Sequence, residues 1–276
     1  MSLVLLLGCA FFGALQSVSS KLAARCGSEE TGFNRTKALA ALAPVAAAFL
    51  FRPAFHAPTA LFGALYGLSL CAAMLFGYRA LALGPLSLTA MIAAFSVLLP
   101  IGYGVLFCGE TPGIWQGIGL ALLCAAIVLA SLGKGSGKKA GWSWALALFL
   151  TFLANGLCSI LQKMHQSRFP GLYRVDFLLF ALLCAALFFS LLSLRRRAPA
   201  RGRGWAALSG VAMAAGSFAQ IALASTEQAS VLFPAVSAGT IALSLVGGCL
   251  IFREKLSLSQ IAALCCGAAA VVFLKL

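Results

Sequence analysis

Charge is what this sequence has least of. Only 9% of its residues are Asp, Glu, Lys or Arg, and six of the 276 are acidic. A water-soluble fold of this length needs far more charge on its surface, so a soluble globular domain is excluded. Histidine is scarce too. His56 and His165 are the only two, and each stands alone near the end of an apolar segment. The ten cysteines contain no CxxC spacing, and all but Cys26 lie inside apolar runs. They read as small packing residues rather than a disulfide or metal framework. No metal and no cofactor are expected.

What is present is apolar length. The chain is 62% hydrophobic with a mean hydropathy of +1.02. Ten apolar segments follow one another at 3–22, 34–52, 59–81, 86–108, 113–132, 142–164, 174–194, 205–225, 228–252 and 257–275. Each is about the length a helix needs to cross a bilayer. The second is the least regular, with Arg35 and Lys37 at its start and Pro44 inside; Pro100 and Pro234 are expected to kink the fourth and ninth. Connections are short, which leaves no room for a catalytic domain between segments. Near the N-terminus Leu6-Leu7-Gly8-Cys9 looks like a lipoprotein cleavage box, but no Lys or Arg precedes it. A signal peptide needs that charged region, so the first segment is expected to remain as a helix.

The chain repeats itself. Gly104 to Leu132 returns 144 positions later as Gly248 to Leu276, with nine of 29 positions identical, Glu110/Glu254 and Gln116/Gln260 among them. Likewise GALQSVSSK (13–21) has a counterpart in NGLCSILQK (155–163). The halves are 1–132 and 142–276, joined by a basic, glycine-rich linker at 133–141. Five segments is an odd number, so the second half must run upside down relative to the first. The expected architecture is an all-α integral membrane protein of ten transmembrane helices in two inverted five-helix repeats, with a binding site near the midplane.

Glu110 and Glu254 open the last helix of each half, where a carboxylate favours the positive helix end. Ser257 with Gln260 spells a capping box, and Gly113 with Gln116 fills the same slots in the first half. These four residues, Glu110, Gln116, Glu254 and Gln260, are read as structural. Gly113, Gly117, Ala121 and Ala125 form a small-residue ridge expected to receive the tenth helix.

On these residues the chain resembles the drug/metabolite transporter superfamily, EamA type. The stretches GPLSLTAMIAAFSVLLPIGYGVLFCGETPGIWQGIGLALL and SVLFPAVSAGTIALSLVGGCLIFREKLSLSQIAALCCG are similar to its paired fourth-and-fifth and ninth-and-tenth helices. FGYRALALG (76–84) looks like the end of its third. The resemblance spans essentially the whole chain. It implies a secondary carrier, usually an exporter, with a central cavity lined mainly by helices 1, 3, 4, 6, 8 and 9. One departure stands out: small multidrug exporters of the superfamily use a Glu in the first helix, and here the first segment has none. The six acids, Glu29, Glu30, Glu110, Asp176, Glu227 and Glu254, all lie at or near segment ends.

Within the segments lies a matched pair of polar stripes. Asn155, Ser159, Gln162 and Lys163 fall at i, i+4, i+7 and i+8 and share a helical face. The alignment sets Gly13, Ser17, Ser20 and Lys21 against them, with Gln16 beside. Polar groups in hydrocarbon need partners, so these line a cavity or bond between helices. For Lys21 and Lys163, in the last turns of their segments, snorkelling is the competing reading. Tyr78, Arg79, Gln220 and Glu227 are weaker candidates. The set is rich in cations and poor in acids, which favours a small polar or anionic metabolite moved by alternating access, with export as the expected direction. The alternatives are a broad exporter of apolar compounds, with stripes that merely pack helices, and a membrane enzyme acting on lipids. The latter needs acid, His or Cys residues clustered at one face, and the sequence displays no such cluster. No enzymatic activity is expected.

The expected partners are a small-molecule substrate and the lipid bilayer, without nucleic acid, and the chain is expected to act as a monomer or weak homodimer. Twenty basic residues against six acidic ones give +14, and nearly all fall between apolar segments. Odd-numbered connections carry fifteen of them and even-numbered ones with the C-terminus carry five. The positive-inside rule then sets the odd connections in the cytoplasm and both termini outside the cell membrane, against the family habit.

Overall fold

The structure is a computed structural model that describes residues 2–51, 55–83, 95–109, 111, 113–131, 142–194, 201–225, 229–252 and 258–273. Among these residues lie ten α-helices and no strand. They are α1 (Ser2–Arg25), α2 (Glu30–Phe51), α3 (Ala57–Leu83), α4 (Leu98–Phe107), α5 (Ile114–Ser131), α6 (Trp142–Arg168), α7 (Arg174–Leu194), α8 (Arg203–Ala224), α9 (Ala229–Phe252) and α10 (Leu258–Phe273). Residues 86–94 of the fourth apolar segment fall outside the described residues. A 3-10 turn, Phe95–Val97, leads into α4. Pro100 occupies the first turn of α4, where its missing N–H has no partner to lose. Pro44 and Pro234 lie inside α2 and α9.

Five helices, α1, α3, α6, α7 and α8, are long and apolar enough to cross a membrane. Their burial pattern is inverted relative to a soluble protein. On α6, Leu146, Phe149, Leu153 and Leu157 form an exposed apolar stripe, whereas Thr151, Gln162, Lys163, His165 and Gln166 are buried. On α7, Leu183, Leu187, Leu191 and Leu194 face outward while Asp176 is buried. Apolar surface on this scale is not tolerated in water. In hydrocarbon it is the contact surface, and helices satisfy the backbone groups that lipid cannot. This is the organisation of a multi-pass membrane protein.

Packing is arranged around four inner helices. The α8 helix packs on α1 and α2, α3 packs on α6 and α7, and α2 packs on α7. Helix α9 lies on α1 and α4 on α6, while α5 and α10 form a pair carried by α9. The largest core surrounds α7, where Phe177, Ala181, Leu182, Ala185 and Phe189 meet Ala38 and Ala41 of α2 and Tyr66, Cys71 and Met74 of α3. Glycines set the closest approaches. A Cβ built on Gly67 of α3 would fall 2.6 Å from Ala181 O, and one on Gly63 would fall 2.7 Å from Phe177 O. On the other side of the bundle a Cβ on Gly210 of α8 would overlap the carbonyl of Lys37 in α2.

One expectation about packing needs correcting. Helices α5 and α10 do pair, but not through the small-residue ridge. Gly113, Gly117, Ala121 and Ala125 are exposed, and a Cβ on either glycine meets nothing within 4 Å. The pair meets instead where buried Gly267 approaches buried Ala126, and the exposed Trp115 ring stacks on Phe273 at 5.9 Å. A four-residue spacing of small side chains defines a face without saying what it looks toward.

These contacts predict unequal tolerance. Gly67→Leu or Gly210→Val should lower stability by about 1–3 kcal/mol or more, the usual cost of overpacking. Gly117→Ala, in open space on a helix, should leave it unchanged or raise it. Thermal unfolding in detergent micelles checks the contrast.

Candidate functional site

The polar side chains gather in two places. The first lies between α1, α2 and α8. Lys37 is buried two turns into α2, and its Nζ donates to Gln16 Oε1 at 2.7 Å. Around it, Ser20 Oγ donates to Gln16 O at 2.7 Å and lies 3.2 Å from Ser209 Oγ on α8, which also reaches Gln16 O at 3.4 Å. Asn34, one turn earlier on α2, donates to Met74 O of α3. At 1.5 Å of rise per residue, Lys37 stands roughly 10 Å inside the start of α2. Among the described residues no carboxylate lies within ion-pair distance of its ammonium. A buried cation held by a neutral amide is a costly feature, and the cost is one a bound anion would offset.

Sequence reading missed Lys37, because Arg35 and Lys37 looked like the charged border of a segment. Helix α2 begins at Glu30, ahead of the apolar segment, so position 37 lies inside the helix. Gln16 and Ser20 turn toward α2 and α8, and α1 and α6 are not packed on one another. Ser17 is exposed and bonds only to its own helix, at Gly13 O. Lys21 is half-buried. Removing Gln16 by Gln16→Ala should destabilise the fold by about 1–3 kcal/mol, because it orphans the ammonium. Lys37→Met should be close to neutral or stabilising. Thermal melts of the two variants side by side decide this.

The second place is the far end of α6. Gln162 is 1% exposed, and its Nε2 has no hydrogen-bond partner. Asn155 and Ser159 are half-buried on the same face, Ser159 Oγ bonding back to Asn155 O. Lys163 is buried and, with Arg168, Ser167, Met164, Phe62, Tyr103, Phe107 and Cys108, lines a cavity of about 490 Å³ between α3, α4 and α6. Arg168 and Tyr103 were not among the residues singled out from sequence.

Beside this cavity the structure corrects the reading of the histidines. His56 and His165 do not stand alone. Thr59 Oγ1 is 3.0 Å from His56 Nδ1 and 3.0 Å from His165 Nε2, and Gln166 Nε2 is 2.9 Å from His165 Nδ1. Rings of Phe62, Phe169, Tyr173 and Phe177 enclose the pair. The contact joins the starts of α3 and α7 to the end of α6, a proximity that chain order conceals.

The remaining candidates sit at helix ends. Tyr78 OH donates to Ser28 O at 2.8 Å, and Arg79 Nε lies 3.4 Å from Glu30 Oε1, the arginine exposed and the carboxylate half-buried. Gln220 is half-buried on α8. Gly113 N donates to Gln116 Oε1 at 3.2 Å, which satisfies one of the first free N–H groups of α5. Glu110, Glu227 and Glu254 lie outside the described residues, as does the side chain of Gln260.

No protein-family model matches the sequence, and no curated protein matches it. Among solved structures, one described only as a crystal structure of a protein superposes with a TM-score of 0.76. The likeness covers 96% of this chain and 94% of that one at 15% identity. At that identity it establishes a shared fold and nothing about ligands.

Proposed function

We propose that the chain is a secondary carrier of the drug/metabolite transporter type that moves a small polar, anionic metabolite across the cell membrane by alternating access. The observation that carries this reading is Lys37, a buried ammonium whose partner is the neutral amide of Gln16. A resident carboxylate would neutralise such a charge permanently. A passing anion neutralises it only while bound, which is what a carrier needs. The buried, unpartnered Nε2 of Gln162 and the Lys163–Arg168 cavity supply further donors toward the other face.

The carrier reading includes ten transmembrane helices in two inverted halves, 1–132 and 142–276. Pairwise packing supports it. Shifting helix number by five exchanges α1·α8 with α6·α3, and α2·α8 with α7·α3. Close contacts follow the same exchange: Gly210 on Lys37 O matches Gly67 on Ala181 O, and at the level of helices Gly13 of α1 meets α9 as Gly156 of α6 meets α4. The ends match too, with Glu30 to Arg79 answered by Arg174 Nη2 to Ser225 Oγ at 2.7 Å. Burial of Lys37 and Lys163 inside helices removes one cation from each side of the charge count and leaves its bias intact. Both termini are therefore proposed outside the cell.

Uptake of a labelled panel of organic anions into proteoliposomes tests the function. Lys37→Gln should weaken binding of the transported anion by about 1.5–3 kcal/mol, the range for hydrogen bonds to charged groups, and Lys37→Arg should retain more of it. Asn155→Ala or Gln162→Ala should cost about 0.5–1.5 kcal/mol each. Lys163→Ala should slow uptake from one face more than from the other. If Lys37→Gln, Asn155→Ala, Gln162→Ala and Lys163→Ala all carry every tested anion as the parent does, while inserting normally, the solute binds elsewhere. A reporter fused to the C-terminus should be active only when it requires export; activity of a cytoplasm-only reporter would reverse the orientation.

A further inference from the structure

The hydrogen bonds around His165 allow one assignment of its proton. A backbone N–H can only donate and a backbone carbonyl can only accept. Gly171 N donates to Gln166 Oε1 at 3.3 Å, and Gln166 Nε2 donates to Leu172 O at 3.5 Å, which together fix the two ends of the amide. The same Nε2 then donates to His165 Nδ1, so Nδ1 carries no proton. His165 holds its proton on Nε2 and donates it to Thr59 Oγ1. The Thr59 hydroxyl oxygen lies 3.0 Å from His56 Nδ1, and either atom can donate. His165 is a neutral imidazole, and the donor direction runs from the connection between α6 and α7 to Thr59.

We propose that His165 is a proton-binding site and that loading it unlatches the connection between α6 and α7. A proton can add only at Nδ1, the atom Gln166 now covers. Two N–H groups cannot face each other, so the amide must present its oxygen instead. Gly171 N–H then loses its acceptor and Leu172 O loses its donor. The connection is poised to respond, because Gly171 sits at φ 73° and Tyr173 at φ 51°, a left-handed backbone that a tyrosine holds only under constraint. Tyr173 stacks on the His56 ring at 4.4 Å with 4° between planes, and Phe169 meets it edge-on at 4.9 Å. Release of the connection therefore uncovers His56 as well.

The titratable and charged groups at this end of the packed elements are few. The start of α3 brings His56 and, two turns further in, the buried Tyr66, whose ring meets Phe177 at 5.1 Å. Helix α7 and the residue before it bring Tyr173, Arg174 (bound to Ser225) and the buried Asp176, while α4 brings Tyr103 and Cys108. Helix α6 itself adds Lys163 and Arg168. As the proton-coupling step of transport this proposal rests on the carrier reading; as a proton-binding latch it stands without it.

The chain has two histidines, so labelled imidazole nitrogens in lipid nanodiscs give two sets of signals, assigned with His56→Gln. Combined proline-carbonyl and glycine-nitrogen labelling isolates the amides of Gly171 and Gly113, which alone follow a proline. Near about pH 8 His165 should show the neutral form protonated on Nε2. On acidification His165 should become an imidazolium, and the Gly171 amide should shift with the same midpoint. Gln166→Glu offers the imidazolium an acceptor while still accepting from Gly171, and should raise that midpoint by a pH unit or more, a tenfold gain in proton affinity. A neutral form protonated on Nδ1, a titration that leaves Gly171 unmoved, or a midpoint not raised by Gln166→Glu would each overturn the proposal. The first two readings do not use Gln166→Glu, so a misfolded Gln166→Glu protein does not block the test. Anion uptake with and without a pH gradient separates the layers. A titrating latch in a protein that carries no tested anion overturns the carrier reading and leaves the proton site intact, whereas uptake indifferent to the gradient overturns the coupling.

Discussion

Two contacts between helix backbones hold this bundle in register: Gly210 of α8 on the carbonyl of Lys37, and Gly67 of α3 on the carbonyl of Ala181. Between helices in lipid no hydrophobic force acts, because the solvent is as apolar as the side chains. Close approach and interhelix hydrogen bonds must replace it. Gly210 does both at one point. By covering the Lys37 carbonyl it brings α8 close enough for Ser209 to reach Gln16 and Ser20, and it fixes the depth at which the ammonium meets the Gln16 amide. The packing of the fold and the charge of the candidate site therefore depend on the same residue pair.

Much of the fold was legible because hydropathy and helix formation measure nearly the same thing in this chain. Segment 174–194 coincides with α7, and 142–164 becomes α6 with a polar final turn running on to Arg168. The mismatch at such ends is physical: hydropathy marks the hydrocarbon, while helical hydrogen bonds continue into the headgroup region. Lys37 was not legible for the converse reason. Whether a lysine near a segment border snorkels or turns inward depends on what stands opposite it, and Gln16 and Gly210 lie on other helices. The histidines failed in the same way. Each looked isolated along the chain, and Thr59, between them in space, carries no sequence signal at all.

The polar stripes show how far periodicity reaches. The spacing of Asn155, Ser159 and Gln162 defines one face of α6, and that face extends one turn further to Gln166, inside the histidine cluster. On α1 the equivalent face is divided: Ser20 bonds across to α8, Gln16 to α2, and Ser17 stays exposed. Period alone could not distinguish these fates. Nor could it tell that Gly113 and Gly117 look outward, since a ridge of small residues suits a helix contact and a lipid surface equally well.

The two ends of the bundle are built on one plan with different chemistry. At the end bearing the connection between α1 and α2, Tyr78 donates to Ser28 O, Ser28 donates to Arg201 O, and Glu30 meets an exposed Arg79. At the opposite end the connection between α6 and α7 is tied through Gln166, His165, Thr59 and His56 under a roof of aromatic rings. The first closure uses hydroxyl bonds and an ion pair between an exposed arginine and a half-buried carboxylate. The second is buried, and its bonds from Gln166 through His165 to Thr59 have a direction set by where one proton resides. If the halves are related as proposed, equivalent joints must open in alternation, and joints of equal strength would leave both faces equally open at rest. Unequal joints bias that resting population, and the proposed proton site would make the histidine end the one that responds to the surrounding medium.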